Sequence, residues 1–439
     1  MAGYETIIKN GTLMTPTGPV KKDLALRHSK IAALLEPGHE EFAPVIIDAT
    51  DKHVLPGIID SQVHFREPGL DHKEDLHSGS KSAALGGVTT YLEMPNTNPP
   101  TIDAASIGYK VGRGRETSYT NFGFFMGATE KNLENLLEAS EVEGCCGIKI
   151  FLGSSTGSLL LYDKDKLTKI FESCSLPIAL HSENELMLRE RRPIRDAAKD
   201  VHGHYDWRNV DTALSSTKMI LELARETGKR VHVLHISTKE EMELLATYKD
   251  VATVEVTPQH LTLSAPEDYD RLGTYAQMNP PIRTSDHRDG LWEGLTKGTV
   301  DVIGSDHAPH LKKEKDIGYP NSPSGMPGVQ TILTIMLDHV NQGRLTLEKL
   351  VNLLCLRPAE LYSLRNKGKL AIGYDADITI VDMNKTHTIS NGEQASKCGW
   401  TPYDGKKVKG FPVMTIVGGH TVMDNGEIVG TPMGQPICR

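Results

Sequence analysis

Cysteine is present in this chain of 439 residues but unorganised: six residues, at 145, 146, 174, 355, 398 and 438, with no CxxC pair among them. That spacing points to neither a zinc ribbon nor a disulfide framework, and the thiols read as buried or inert in a reducing compartment. No apolar stretch approaches the ~20 residues that a membrane-spanning helix needs. The N-terminal Met-Ala-Gly-Tyr-Glu-Thr has neither the charged nor the apolar region of a signal peptide, so a cytoplasmic location and no membrane partner are expected. A basic tract is missing too, and the net charge of −9 argues against nucleic-acid binding. The chain has no internal repeat and no low-complexity segment. No Gly-x-Gly-x-x-Gly follows the first apolar run, which weighs against a dinucleotide fold. With 38% hydrophobic and 24% charged residues, the composition is that of an ordinary globular protein able to bury a large core.

Short β-rich runs recur at 54–59, 88–94, 121–128, 147–152, 176–181, 230–235, 252–257 and 301–306. Helix-compatible amphipathic segments separate most of them, among them 73–85, 130–140, 210–227 and 239–248. Strands alternating with helices predict a parallel sheet, and eight units over about 250 residues predict a closed (β/α)8 barrel of the TIM type. The chain ends read differently, since 7–13, 23–35, 376–382, 414–418 and 420–426 look like hairpin strands. The expected α/β fold is a barrel over 54–370, inserted in a small β-sandwich domain formed by 1–53 and 371–439.

Chemistry in such barrels sits at the C-terminal ends of the strands. There the chain places Gln62, His64 and Arg66 after the first strand and Asn96 after the second. Lys149 lies on the fourth, His181 and His235 end the fifth and sixth, and Asp306 ends the eighth. Alternate residues of a strand share a face, so Asp60, Gln62, His64 and Arg66 are expected to point one way. A single His at a strand end is ordinarily structural. Three of them, with a Lys and an Asp at one level, read as a metal site. Lys149, between Ile148 and Ile150, is costly to bury charged and unpaired; the alternative is an outward, snorkelling side chain. An acidic protein that handles an anionic substrate must gather positive charge locally, and the planar guanidinium of Arg66 suits a carboxylate.

The run His64-Phe65-Arg66-Glu67-Pro68-Gly69 resembles the first strand end of the cyclic amidohydrolases, and within them that of the dihydroorotases of the long, bacterial-type class. Met94-Pro95-Asn96-Thr97, Gly147-Ile148-Lys149-Ile150-Phe151 and His181-Ser182-Glu183 carry the same likeness. So do His235-Ile236-Ser237-Thr238, Met278-Asn279-Pro280-Pro281-Ile282-Arg283 and Gly304-Ser305-Asp306-His307-Ala308-Pro309-His310. The likeness spans nearly the whole chain. It implies a zinc-dependent hydrolase that reversibly cyclises N-carbamoyl-L-aspartate to dihydroorotate in pyrimidine biosynthesis. By this resemblance His64, Lys149 and Asp306 would hold one zinc, and Lys149, His181 and His235 the other, with Lys149 carbamylated and bridging the two. Asp306 would carry a proton from water to the leaving nitrogen. Arg66, Asn96 and His310 would hold the substrate carboxylate, while Asn279 and the backbone at Ser324 and Gly325 would contact the ring. His307 would buttress its loop, and the segment 311–326, with Lys315, is expected to act as a lid. A homo-oligomer of two or four chains and a transcarbamoylase partner complete the implied picture.

One position departs from the family pattern. Gln62 stands where the family has a His, and a carboxamide oxygen is a poor zinc ligand, so Gln62 is expected to be a weak ligand or none and the two zinc sites unequal. Two other readings stay open. One is an allantoinase- or hydantoinase-type amidohydrolase, from which Arg66 separates this chain. The other, motivated by Gln62, is a barrel that has lost catalysis and serves as a scaffold.

Overall fold

The apolar run 54–59 breaks at Gly57, and the break separates two sheets. A Cβ at Gly57 would lie 2.1 Å from Thr89 Oγ1 and 2.8 Å from Asp377 Cβ, so only glycine lets the chain pass here. Before it, His53–Pro56 pairs antiparallel with Ile378–Thr388; after it, Ile58–Val63 begins the barrel. The single strand expected over 54–59 is therefore two. The molecule was analysed as a computed structural model, which describes residues 3–154 and 159–439.

Eight parallel strands follow in chain order: Ile58–Val63, Val88–Glu93, Asn121–Gly127, Cys145–Phe151, Ile178–His181, Val231–Val233, Ala252–Val256 and Val302–Ile303. Each is hydrogen-bonded to the next. The seam between the eighth and the first closes just past the strands, where His64 N–H donates to His307 O at 2.7 Å. All residues of these strands are buried, as expected when helices cover a parallel sheet. The covering helices start on side-chain caps. Asp75, Asp103, Asp163, Asn209 and Thr238 each accept a first-turn N–H, ahead of Leu76–Leu85, Ala104–Thr117, Lys164–Ser173, Val210–Thr227 and Lys239–Ala246.

The sixth and eighth strands stop earlier than their sequences predict, at Val233 and Ile303. His235 and Asp306 lie beyond them with φ of 37° and 45°, and Arg66 lies beyond the first strand with φ of 66°. Alternation along a continuous strand therefore does not reach Arg66. Left-handed backbone at a non-glycine residue costs of order 1–3 kcal/mol, and here it turns three polar side chains at the barrel mouth.

The run 7–13 is likewise two strands, Thr6–Lys9 and Thr12–Thr15, divided at Asn10 (φ 65°) and belonging to different sheets. A four-stranded sheet uses residues 6–48 alone. A seven-stranded sheet joins both chain ends, with Val54 opposite Ile380. Ile8, Leu24 and Ile31 of the first pack with Leu13, Val54, Ile378 and Ile416 of the second, which makes the pair a sandwich with its own core. Among the described residues no helix is long and apolar enough to cross a membrane.

Candidate active site

One cavity at the C-terminal ends of the strands is lined by every residue expected at the site except His310, which stands just behind Arg66. Phe151 and Ala308 line it as well. On one side, His64 Nδ1 donates to Asn96 Oδ1 at 2.6 Å, so the neutral ring turns the lone pair of Nε2 to Asp306 Oδ1, 3.1 Å away. Burial, first of all, holds His64 below the usual histidine range. A nitrogen lone pair facing a carboxylate oxygen is the arrangement a cation relieves. Gln62 joins this side by donating from Nε2 to the same Asp306 oxygen at 3.1 Å, while its own Oε1 is buried without a partner among the described residues. Asp60 takes no part; its carboxylate accepts the Ser305 and Gln62 N–H groups at the barrel seam.

On the other side, His181 Nε2 donates to Glu183 Oε2 at 2.9 Å, which leaves the lone pair of Nδ1 facing His235 Nε2 at 3.1 Å. Burial raises the cost of a Glu183 charge, but Arg208, bonded to it, and then His181 and Arg283 hold its carboxyl down at about 2. Two imidazole nitrogens about 3.3 Å apart can share one tetrahedral zinc at the usual ~2.0–2.1 Å. Between the two sides lies Lys149, whose buried Nζ has no hydrogen-bond partner among the described residues and sits 4.7 Å from the Phe151 ring centroid. The snorkelling alternative does not hold. Burial pulls its ammonium down to about 7, with only Asp306 and Glu255 opposing. Among the described residues no three His, Cys, Asp or Glu converge into a ready metal site.

The far end of the cavity is cationic. Arg66 is 3% exposed, its Nε is unpartnered, and among the described residues no carboxylate lies within ion-pair distance of it. Its Nη2 is 3.3 Å from His310 Nε2. The wall beyond is built from 311–326. Gly325, at φ 145°, passes so close to Ala308 that a Cβ would lie 2.4 Å from its carbonyl oxygen. Lys315 Nζ donates to the carbonyls of Gln277, Pro323 and Gly325 at 3.2, 2.7 and 3.2 Å, and Trp400 donates to His310 O at 2.7 Å. The segment expected to be a lid is thus stitched to the barrel mouth. His307 buttresses its loop by accepting the Gly328 and Val329 N–H groups.

Three supporting residues were not assigned roles from sequence. Glu183 lies two residues after a strand-end His, a spacing that already places it on that face. His204 and Arg208 come from the short helix Gly203–Trp207 and its C-cap, and His204 donates to Asn279 Oδ1 at 3.0 Å. No local signal marks them. A larger cavity opens at the other end of the barrel, where Lys367 pairs with Asp375 and Asp377 and Lys30 with Asp375.

The chain belongs to the amidohydrolase family, which matches residues 53–422 and is generally metal-dependent. It is 36% identical over 389 residues to a dihydroorotase of Halobacterium salinarum, covering 88% of this chain and 90% of that one. It is 34% identical to dihydroorotases of Methanosarcina mazei (97% and 95% of the two chains) and Halalkalibacterium halodurans (97% and 99%). Among solved structures, the L-hydantoinase (dihydropyrimidinase) of Arthrobacter aurescens matches with a TM-score of 0.95 at 30% identity, over 99% of this chain and all of that one. The dihydropyrimidinase of Brevibacillus agri matches at 0.90 and 25%, over 99% of both.

Proposed function

We propose that this protein is a dihydroorotase, a hydrolase of a cyclic amide that interconverts dihydroorotate and N-carbamoyl-L-aspartate, the ring-forming step of de novo pyrimidine synthesis. Arg66 is the observation that carries the reading. A buried guanidinium with no carboxylate partner among the described residues opens onto the same cavity as the His64–Asp306 and His181–His235 pairs. Hydantoin and dihydropyrimidine rings lack the carboxylate that would pair with it, whereas dihydroorotate has one, and a guanidinium can offer it two parallel hydrogen bonds.

The donor set fits two zinc ions. His64, Asp306 and Lys149 would hold one, with Gln62 a weak ligand or none, and Lys149, His181 and His235 the other. A carbamate on Lys149 would supply oxygen donors to both. When bound, the metals lower the pKa of a water toward ~7 and polarise the ring carbonyl. The chain does the rest. Asp306 takes the proton of the attacking water and delivers it to the ring nitrogen as the C–N bond breaks; ring closure runs the same path backward. Arg66, Asn96 and His310 hold the carboxylate, and Asn279 with the backbone at Ser324 and Gly325 holds the ring. On resemblance alone the proposal extends to a barrel domain over 54–370, to a homo-oligomer of two or four chains, to a cytoplasmic location and to a transcarbamoylase partner that supplies carbamoyl aspartate.

The experiment is to assay the purified, zinc-supplemented protein with dihydroorotate, hydantoin and 5,6-dihydrouracil. Turnover of dihydroorotate well above the neutral rings is expected. Preference for a neutral ring would favour a hydantoinase-type enzyme, and no turnover of any would favour a scaffold.

A further inference from the structure

Asn279 is assigned to the substrate ring, but which end of its carboxamide meets the ring depends on His204, 75 positions earlier in the chain. His204 lies on the short helix Gly203–Trp207, fully buried and packed edge-to-face against Trp207 and Tyr319, with ring centroids 6.0 and 5.9 Å away. Its Nε2 is 2.9 Å from Met278 O and 3.0 Å from Asn279 Oδ1, and its Nδ1 is buried with no partner among the described residues.

A carbonyl oxygen only accepts, so Met278 O by itself puts the ring proton of His204 on Nε2. Burial, then Arg208, hold the His204 pKa down at about 3, so the ring carries that one proton and no second. The N–H is shared between Met278 O and the Asn279 side chain. An Asn279 carboxamide turned end for end would bring its NH2 against this N–H, two donors face to face. The observed orientation avoids that clash and engages the oxygen. Asn279 lines the cavity, and Nδ2 is its unengaged end, with no hydrogen-bond partner among the described residues.

We infer that His204 is a positioning residue that makes Asn279 a hydrogen-bond donor to the ring, so that the substrate must offer it a carbonyl oxygen and not an N–H. This rests on the assignment of Asn279 to the ring. Dihydroorotate has two ring carbonyls. One is attacked, and the other, between the two ring nitrogens, is left for Asn279. As the C–N bond breaks, negative charge on the departing nitrogen spreads onto that second oxygen, and a donor there gains strength in the transition state. Without His204 the carboxamide is free to turn and set its own oxygen against the carbonyl.

The test compares dihydroorotate with its analogue carrying sulfur, a weaker acceptor, at the carbonyl between the ring nitrogens, using full-length zinc-supplemented protein. Native protein should favour the oxygen substrate in kcat/KM by about 5–10-fold, the scale of one neutral hydrogen bond. His204→Phe keeps a ring but has no N–H. It should lose the preference through a fall on the oxygen substrate, with the sulfur analogue nearly unchanged. A purely structural role would lower both alike and leave the preference in place. His204→Gln supplies an amide N–H and should keep the preference, which also covers the case in which His204→Phe does not fold. No preference in native protein, a preference retained in His204→Phe, or one lost in His204→Gln overturns the inference. Failure of the underlying reading looks different, because native protein would then ignore dihydroorotate and turn over a neutral ring. The same carbonyl is present in 5,6-dihydrouracil, so the oxygen–sulfur comparison on that ring still tests His204.

Discussion

His64 donates from Nδ1 to Asn96 Oδ1 at 2.6 Å, and that one bond decides which of its nitrogens meets Asp306. Under the proposed function Asn96 would therefore support the metal side of the site as well as the carboxylate side. Asn96→Ala should lower metal affinity or kcat/KM by about 10–100-fold, as losses of such orienting partners do. Metal content after dialysis and steady-state rates check it. Unchanged values for both would mean that Asp306 alone orients the ring.

Arg66→Gln should cost roughly 2–4 kcal/mol in kcat/KM for dihydroorotate, the scale of truncating a buried charged hydrogen-bond partner. Any activity on a neutral ring amide should change far less. Equal losses on both substrates would remove Arg66 from carboxylate recognition.

Lys149→Ala should lose metal and activity together, and a short carboxylic acid in solution should restore part of both by replacing the carbamate. Mass spectrometry of the native protein under CO2 should show the added mass on the peptide holding Lys149. Full metal occupancy with an unmodified Lys149 would exclude the bridge.

Gln62 bonds Asp306 through its amide nitrogen, so the site it borders lacks the second imidazole of the family pattern. Chelator titration should release zinc from two sites of unequal affinity, and Gln62→His should tighten the weaker one. Two equally tight zincs in the native protein would mean that another donor has replaced the missing histidine.

Lys367 joins the barrel to the sandwich. Its ammonium meets Asp377 at 2.5 Å and Asp375 at 3.1 Å, and Asp377 also accepts from Asn121 Nδ2 and Gly418 N. Burial opposes the charge, but Asp377 and then Asp375 outweigh it and raise the Lys367 pKa. A raised lysine contributes stability fully below its unfolded value, about 10.4, and loses it as pH rises through the higher folded value. Lys367→Met should cost about 3 kcal/mol at pH 8, where it strands a buried carboxylate. The gap to native protein should narrow above roughly pH 10.5. Denaturant unfolding at both pH values measures it; a constant gap would mean that the clamp is not ionic.

The alternation of strands and helices, and the polar residues at the strand ends, were legible because both depend on neighbours in sequence. The break at Gly57 was not. Both halves of 54–59 are apolar and buried, and what divides them is contact with Thr89 and Asp377. The turned backbone at Arg66, His235 and Asp306 escaped for a similar reason, since hydrophobic pattern does not report φ. Glu183 was within reach of the two-residue spacing after His181. Arg208 and His204 act across the fold on residues far along the chain, where no spacing rule applies.

The pairing of Val54 with Ile380 fixes an order of assembly during synthesis. His53–Pro56 leaves the ribosome before every barrel strand, and its partner Ile378–Thr388 after all of them. At about 5–20 residues per second the first strand waits tens of seconds, with its edge and its apolar face open. Within the barrel each strand pairs with the next to emerge, and only the seam between the first and the eighth waits for the rest. The four-stranded sheet, drawn from residues 6–48, is complete before the wait begins and is placed to cover Leu13 and Val54 during it. Exposure to misfolding in this chain is therefore concentrated in the half-built sandwich, and substitutions that weaken the early sheet should lower the yield of folded protein more than they lower its final stability.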